Sequence, residues 1–350
     1  MQVPTDNHIR RLMIHTFAHA AVDFACFYIL FARVVPRAQS GQAVAIAFLV
    51  YNLIAFGLQP LFGFVIDYFR SFPAASVGCL LVLVGVCLPQ NAAYIALAFA
   101  ALGNAWFHVG AGSDTLLASH GRMWDSGMFV SSGVLGVAFG TLAGQAHCSP
   151  VIPILLAAIP LLLEWWLPTQ YGGLLERYWI YSGKTSIPVT FLLLFLVIAI
   201  RSFVGAAVPA PWKTGSIDLL LAAVAASVGK ALGGLLADLF GARRIGIGAL
   251  LLSFPFLCFG YQSAVLSLIG LALFNIPMPI TLCALADLLP MNTGLTFGLT
   301  TLALLVGLLP ALIIPLGGYS VVLLLLPVLI AALLLFVTVR DGRNMLHETI

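Results

Sequence analysis

The second half of the chain carries the stretch Gly234-Leu235-Leu236-Ala237-Asp238-Leu239-Phe240-Gly241-Ala242-Arg243-Arg244, and the first half carries a shorter counterpart, Gly63-Phe64-Val65-Ile66-Asp67-Tyr68-Phe69-Arg70. An offset of 171 residues separates Asp67 from Asp238. The same gapless offset pairs Gly63 with Gly234, Asn104 with Asn275, Gly127 with Gly298 and Gly136 with Gly307. These coincidences indicate an internal duplication. A duplicated chain with a short charged turn between two apolar spans is typical of two-halved secondary transporters.

The composition indicates that lipid, and not water, surrounds most of this chain. Hydrophobic residues make up 62% of the 350 residues and charged residues only 8%, whereas an average soluble domain is about 25% charged. In a lipid bilayer each segment must satisfy its own backbone hydrogen bonds, as helices and closed barrels do. The apolar runs here are continuous and do not alternate, which favours helices over a barrel. The predicted fold class is therefore an all-α integral membrane protein.

Several other classes of function find no support in the sequence. The net charge of +3 is small and spread along the chain, so no nucleic-acid partner is expected. The six cysteines lie mostly inside apolar runs without Cys-x-x-Cys spacing, which predicts buried free thiols, no metal site and no cofactor. No Gly-x-x-x-x-Gly-Lys-Ser/Thr run and no His-Glu-x-x-His helix is present, so neither ATP-driven transport nor enzymatic activity is expected.

Hydrophobic stretches divide the chain into about twelve spans of roughly 20 residues each. Their predicted limits are 12–35, 42–66, 74–89, 92–118, 127–146, 150–167, 187–210, 216–236, 245–261, 263–287, 291–315 and 318–339. The longest gap predicts an N-terminal six-helix half at 1–167, a cytoplasmic linker at 168–186 and a C-terminal six-helix half at 187–350. With the N-terminus inside, ten Lys and Arg residues of the loops fall on one side and three on the other. The excess predicts a multi-pass protein of the plasma (inner) membrane with both termini cytoplasmic.

The matched turns resemble the signature of the major facilitator superfamily, Gly-x-x-x-Asp-Arg/Lys-x-Gly-x-Arg/Lys-Arg/Lys, which follows the second span and recurs after the eighth. The second copy keeps its glycines, its aspartate and the basic pair, and the first copy keeps Gly63 and Asp67. The resemblance implies a parallel pseudo-repeat of two six-helix halves. It also implies a cytoplasmic gate formed by Asp67, Arg70, Asp238, Arg243 and Arg244. In physical terms, a carboxylate here can face the positive N-terminus of a neighbouring helix. Alternatively, both aspartates are ordinary charges at the membrane boundary.

Three further stretches resemble the fosmidomycin-resistance type of exporter within that superfamily. They are Gly103-Asn104-Ala105-Trp106-Phe107-His108-Val109-Gly110-Ala111-Gly112, Arg201-Ser202-Phe203-Val204-Gly205, and Leu288-Leu289-Pro290 followed by Gly294-Leu295-Thr296-Phe297-Gly298-Leu299. This resemblance implies export of a drug-like phosphonate. Two departures are visible, because Val109 replaces a proline after His108 and Thr141 follows Gly140 where antiporters of the superfamily carry proline. The second departure favours an importer.

The first span carries candidate proton-coupling residues. His15, His19 and Asp23 are four residues apart, and each step of four advances about 40° around a helix, so the three share one face. A histidine titrates near neutral pH, and an ionisable group inside a membrane is a functional candidate by default. The stripe therefore predicts a proton path. Alternatively, His15 and His19 lie at the membrane boundary, where they snorkel or cap a helix.

Candidate substrate-binding residues lie on three other spans. Arg201 is near the middle of the seventh span, which by resemblance faces the first across a central cavity, so it is expected to pair with Asp23 or to bind an anion bidentately. Asn104 and His108 share one face of the fourth span, and Asn275 is the repeat mate of Asn104. The alternatives are a permanent Asp23–Arg201 ion pair and a histidine in the core. Of the remaining intramembrane charges, a gating or loop-anchoring role is expected for Asp114, snorkelling for Lys230, and positions at the membrane edge for Glu164 and Asp287.

Together these features predict a proton-coupled secondary active transporter that moves a small polar or anionic organic molecule by alternating access. We expect a monomer, with a drug exporter as the first possibility. One alternative is a symporter or facilitator that imports an organic anion or metabolite. Another, from a different class, is a polytopic membrane enzyme or a scaffold, although no cluster of catalytic groups at the membrane surface supports it.

Overall fold

The computed structural model describes residues 6–167, 174–314 and 316–341. Twelve helical segments follow one another along these ranges, and ten of them are long and apolar enough to span a bilayer while two are shorter. In chain order they are α1 Asn7–Arg37, α2 Gly41–Tyr68, α3 Ala74–Cys87, α4 Gln90–Ala118, α5 Met123–Gln145, α6 Val151–Trp165, α7 Ile187–Ala207, α8 Ser216–Phe240, α9 Ala242–Gly260, α10 Ala264–Leu288, α11 Thr293–Ile313 and α12 Val321–Thr338. The twelve predicted spans are confirmed.

Helix α1 is longer than predicted and has an irregular end. The expected span was 12–35, but the helix begins before His8 and finishes in a π-helical turn at Leu30–Val34 and a 3-10 turn at Val35–Arg37. Hydropathy alone underestimates this helix because its first turns carry charged residues. Of these residues, His8 and Arg11 are buried against neighbouring helices, whereas Arg10 is exposed. Helices α2 and α10 are each interrupted once, at 56–58 and at Ile276.

The N-terminal half is built around α1, which packs against α4, α5 and α6. A glycine face on α5 allows its backbone to touch that of α1. A Cβ atom at Gly136 would collide with the carbonyl oxygen of Ala20, and one at Gly140 would collide with that of Phe24. Small residues at such spacing are how helices approach closely in membranes, where there is no hydrophobic driving force between them.

The two halves contact each other mainly through the pairs α2–α11 and α5–α8, with smaller contacts of α4 with α11 and of α5 with α10. The closest approaches are at Gly63 against Gly294 and at Gly234 against Met123. They lie at the end of the bundle that also carries the start of α1 and residues 174–186, here called the linker side. The segment Gln59–Tyr68 of α2 packs along α11, whereas the segment Gly41–Ala55 makes few contacts with it. The halves are therefore joined on the linker side and diverge on the opposite side.

The described part of the predicted linker, residues 174–186, packs across the linker side; residues 168–173 lie outside the described ranges. The backbone N–H groups of Tyr178 and Ile180 both donate to Asp287 at 2.8 Å, and the Tyr178 hydroxyl pairs at 2.8 Å with Ser119, the residue that follows α4. Burial raises the pKa of Tyr178, so its phenol stays neutral as a hydrogen-bonding group. The expected position of Asp287 at the membrane edge stays a prediction; it is the second-last residue of α10, and its buried carboxylate anchors the linker.

Candidate functional site

Three ionisable side chains from α1 and α4 converge near the centre of the N-terminal half. His19 Nε2 lies 2.8 Å from His108 Nε2 and 3.4 Å from Asp23 Oδ2, and His108 Nε2 lies 3.7 Å from Asp23 Oδ1. All three side chains are buried. We call His19, Asp23 and His108 the central triad. The sequence grouped His19 with Asp23 but assigned His108 to substrate binding, because the spacing within one helix does not show which residue of another helix it meets.

The hydrogen bonds of the two histidines show which nitrogen of each neutral ring carries the proton. His19 Nδ1 lies 2.8 Å from the carbonyl oxygen of Phe129, and His108 Nδ1 lies 2.9 Å from that of Asn104. A carbonyl oxygen only accepts, so both Nδ1 atoms must carry the proton. In the neutral rings both Nε2 atoms then present lone pairs to each other. Two lone pairs and a nearby carboxylate repel one another unless a cation, such as a proton, is shared among them.

Asn104 and Gly133 complete the surroundings of the central triad. The Asn104 side-chain amide donates to Asp23 Oδ1 at 2.7 Å, while its own oxygen is buried and has no partner among the described residues. Gly133 of α5 faces the same point. A Cβ atom at this position would collide with His19 Nε2 and would lie 2.5 Å from Asp23 Oδ2. The glycine therefore allows both of these atoms to lie against the backbone of α5.

A second buried cluster lies one helical turn nearer the linker side. His15 Nε2 is 2.7 Å from Asp114 Oδ2 and His15 Nδ1 is 2.8 Å from Glu164 Oε1. Arg11 also donates to Asp114. Because a carboxylate oxygen accepts, both nitrogens of His15 carry protons, and two cations balance two carboxylates. From the sequence, Asp114 was expected to act in gating or loop anchoring and Glu164 to lie at the membrane edge. Both roles stay predictions; the two carboxylates are buried and join α4 and α6 to α1.

A third group continues this line to the start of α1. His8 Nε2 lies 3.3 Å from Asp125 Oδ1 and 2.6 Å from Arg122 Nη2. Buried ionisable side chains thus follow α1 from its first turn to the central triad. Sequence reasoning missed Arg11 and Asp125 as members of this line. The signal that could have found Arg11 was its four-residue step from His15 on the same face.

Among its described residues, the C-terminal half contributes cations and no carboxylate to the centre. Arg201 of α7 is buried; its Nη2 donates to the carbonyl oxygen of Phe274 at 3.0 Å, and its Nη1 lies 3.9 Å from the sulfur of Met278. Within the described ranges no carboxylate lies within 4.0 Å of this guanidinium, and its Nε has no partner. The expected Asp23–Arg201 pair is therefore absent there. Asn275 donates to the carbonyl oxygen of Leu271 at 2.9 Å and is half-buried.

Lys230 is placed differently from the expectation. It was expected to snorkel near the end of the eighth span, but α8 continues to Phe240, so Lys230 lies close to the middle of the helix. Its ammonium group is within electrostatic range of Arg201 and of Asp23. Its repeat mate is Gln59, an uncharged and fully buried residue of α2. The centre therefore combines one carboxylate from the first half with two cations from the second.

The two aspartates of the matched turns each cap a helix of the opposite half. Asp67 accepts the backbone N–H groups of Gly294 and Leu295 at 2.9 and 2.8 Å, at the start of α11. Asp238 accepts those of Met123 and Trp124 at 3.0 and 2.8 Å, at the start of α5. The two caps obey the 171-residue offset. Each carboxylate satisfies N–H groups that have no partner within their own helix and faces the positive end of its dipole.

The basic residues of the matched turns make different contacts from those of the two aspartates. Arg70 lies within electrostatic range of Asp67. The guanidinium carbon of Arg243 sits 3.8 Å from the centre of the Phe336 ring, and Arg244 forms an ion pair with Asp341 at 3.1 Å. Arg243 and Arg244 thus contact α12 and the residues after it, within their own half. Of the charged residues in the matched turns, the two aspartates contact the opposite half and this basic pair contacts its own half.

No protein-family model matches the sequence, and a comparison with curated proteins finds no match either. Solved structures do match along nearly the whole chain. The human organic anion transporter MFSD10 (TETRAN) is 16% identical with a TM-score of 0.68, over 95% of this chain and 100% of that one. The major facilitator superfamily transporter FucP in the outward conformation is 13% identical with a TM-score of 0.64, over 95% and 97% of the two chains. A bacterial homologue of the iron transporter ferroportin, in an outward-facing state, is 14% identical with a TM-score of 0.58, over 95% and 98%.

These likenesses show that the chain has the major facilitator fold. The fold class predicted from the sequence, two six-helix halves of a multi-pass membrane protein, is confirmed.

Proposed function

We propose that this protein is a secondary active transporter that moves a small anionic organic molecule by alternating access and is coupled to protons. The proposal places it as a monomer in the plasma membrane, with both termini and both matched turns on the cytoplasmic side. Residues 1–167 and 187–350 are the two moving halves, and 168–186 link them.

The observation that carries the proposal is the pair of reciprocal caps. Four backbone hydrogen bonds to Asp67 and Asp238 join the halves on the linker side, while the halves diverge on the opposite side. Opening the linker side requires these bonds to break together. A few hydrogen bonds to charged groups, each worth about 1.5–3 kcal/mol, form a latch that a bound ligand can release. This arrangement suits rocking of two halves about a central site.

Arg201 and Lys230 support an anionic substrate. A buried cation costs free energy unless an anion compensates it, and within the described ranges Arg201 has no carboxylate partner. A substrate carboxylate or phosphonate would supply that charge, and the planar guanidinium suits bidentate contact with either group. Asn104 and Asn275 are proposed to orient the substrate from the two halves.

Coupling to protons is proposed at the central triad, where His19 and His108 need a shared cation next to Asp23. His15 has a different proposed role. It is held between two carboxylates in contact with both ring nitrogens, so it orders α1 and does not exchange its protons during transport. This revises the expectation that His15 belongs to the proton path.

The direction of transport is proposed from the resemblance to fosmidomycin-resistance exporters, which makes proton-driven export of a phosphonate the first candidate. Uptake of an organic anion is the second. Among the matched structures one protein is described as an organic anion transporter and another as a fucose:proton symporter.

The experiment is transport by the purified protein in liposomes that contain a pH-sensitive dye, with a panel of phosphonates, sugar phosphates and carboxylates. Wild type is compared with Asp23→Asn and Arg201→Ala. We expect proton movement that depends on an added anion, lost in Asp23→Asn and weakened in Arg201→Ala. Anion movement without any proton signal would identify a facilitator and remove Asp23 from coupling. Movement of none of the compounds would overturn the substrate class.

A further inference from the structure

We infer that His19, His108 and Asp23 form a binding site for a divalent transition-metal ion. One ligand atom from each residue, the two Nε2 atoms and a carboxylate oxygen, lies within 4.8 Å of the others. No metal site was expected from the sequence, because the cysteines lack metal-binding spacing and no pattern within one segment brings these three residues together. The ligands come from two helices, α1 and α4, that are far apart in the sequence. Asp23 and Asn104, which are hydrogen-bonded to each other across these helices, are separated by 81 residues.

The surroundings of the ligands are those that metal sites require. A histidine that binds a metal through one nitrogen nearly always donates the other N–H to a carbonyl or a carboxylate, which fixes its tautomer. Both histidines do this here, His19 to the Phe129 carbonyl and His108 to the Asn104 carbonyl. Asp23 is held in turn by the Asn104 amide. Both Nε2 lone pairs are therefore directed at one point before any ion binds.

The ligand atoms are close enough together to share one ion. Two ligand atoms about 2.1 Å from a metal lie about 3.0 Å apart when their bonds are at right angles, and about 3.4 Å apart in a tetrahedron. The Nε2–Nε2 distance is 2.8 Å and the two nitrogen–carboxylate distances are 3.4 and 3.7 Å, so small shifts of the side chains bring all three atoms within bonding distance of one ion. Two histidines and one carboxylate on one face of the ion, with the other positions open, form a set that selects Fe²⁺ and similar ions.

The site has an unused acceptor and a backbone fitted closely around the ligands. Because Gly133 has no side chain, His19 Nε2 and Asp23 Oδ2 can both lie against the backbone of α5. The Asn104 side-chain oxygen is buried without a partner in the described ranges, and it can accept a hydrogen bond from a water molecule on the metal. A structural histidine pair would not need the free acceptor.

Metal binding at this site goes beyond the proposed function and does not depend on it. The ligands must be free of protons to bind a metal, so a metal ion and the proposed coupling proton compete for the same atoms. The metal site would stand even if no organic anion were transported, and the transport proposal would stand if no metal bound.

The test uses Co²⁺ as the probe, added to the purified full chain in lipid nanodiscs. We expect one Co²⁺ per chain with the ligand-field absorption of a histidine and carboxylate environment, and release of the ion as the pH is lowered from 7.5 to 5. His19→Gln and His108→Gln are expected to abolish this absorption. Asn104→Ala removes the amide that holds Asp23 and is expected to weaken binding about 10- to 100-fold.

His147→Asn is the matched control, because His147 is an exposed histidine outside the site, with φ of 51°, a conformation that asparagine tolerates. It should bind Co²⁺ like wild type. Asp23→Asn keeps the shape of the side chain and provides a second variant if a histidine replacement fails to fold. Absence of stoichiometric Co²⁺ binding to folded wild type at pH 7.5 would overturn the inference and leave a site for protons alone. Binding that survives in folded His19→Gln and Asp23→Asn would place the ion elsewhere and overturn it equally.

Discussion

His15 and His19 lie one helical turn apart on α1 yet have opposite hydrogen-bonding surroundings. His15 stands between two carboxylates, which stabilise a doubly protonated ring, whereas His19 donates to a carbonyl and presents its other nitrogen to His108. The four-residue spacing predicted that the two share a face, which the structure bears out. It did not predict the difference, because their partners come from α4, α5 and α6 and no local pattern specifies those contacts.

His15→Gln tests the fixed charge at the first of these positions. Glutamine cannot donate to Asp114 and Glu164 as a cation does, so the two buried carboxylates lose part of their compensation. Breaking a buried ion pair from one side costs about 3–5 kcal/mol. We expect a clearly lower Tm for the detergent-solubilised protein, measured by tryptophan fluorescence. An unchanged Tm combined with lost proton coupling would instead return His15 to the proton path.

Arg201→Lys tests whether the guanidinium group binds an anion through two parallel hydrogen bonds. Lysine keeps the charge but loses the bidentate geometry. Loss of one hydrogen bond to a charged group, about 1.5–3 kcal/mol, corresponds to an affinity about 10- to 100-fold weaker. The concentration dependence of transport should show this as a raised KM with little change in the maximal rate. Equal KM values for the two proteins would exclude direct contact with substrate.

At the level of helices, the two matched turns act as caps that cross between the halves. The sequence predicted that a carboxylate in such a turn can face a helix N-terminus. It did not identify the helices as α11 and α5, because the capped residues are more than 100 positions away along the chain. The repeat offset held the missing information, since Met123 and Gly294 are separated by the same 171 residues as the two aspartates.

Asparagine variants of the caps should act on the opposite half. Asp67→Asn leaves only one acceptor for two N–H groups and removes the charge facing the α11 dipole. We expect amide hydrogen exchange about tenfold faster at the start of α11 and unchanged at the start of α5, with the reverse pattern in Asp238→Asn. Mass spectrometry of peptides from each helix start measures both. Faster exchange confined to the mutated turn would contradict a cap between the halves.

The contact between α1 and α5 depends on the glycine face of α5. Gly136→Ala places a methyl group against the Ala20 carbonyl, and overpacking of this kind costs about 1–3 kcal/mol. A lower Tm is expected. Gly248→Ala in α9 is the matched control, since no atom lies within 4 Å of its added Cβ. It should not lower the Tm. Equal effects of the two substitutions would mean that helix propensity, and not packing, decides.

Across the whole molecule, the duplication repeats the aspartate caps between the halves but not the ionisable residues of the central triad. The aspartate caps and the glycines repeat at one offset, whereas the positions that correspond to His19, Asp23 and His108 are Thr190, Leu194 and Pro279. The N-terminal half therefore carries the row of buried ionisable side chains along α1, and the C-terminal half carries the cations that we propose bind the anion. Composition, hydropathy and the repeat predicted the fold, because lipid imposes helices and duplication imposes two halves. The contacts at the centre required the packing of α1, α4 and α5.

The most direct test of alternating access follows distances across both sides of the molecule at once. Exposed positions allow spin labels at Tyr68→Cys and Phe240→Cys for the linker side, and at Gln39→Cys and Ser216→Cys for the opposite side, after the native cysteines are replaced. Pulsed electron paramagnetic resonance then measures each pair in nanodiscs, with Asp67 and Asp238 intact or both changed to asparagine. We expect the double variant to lengthen the linker-side distance and to shorten the opposite one. Distances that stay fixed on both sides, or lengthen together, would contradict alternating access controlled by the two aspartates.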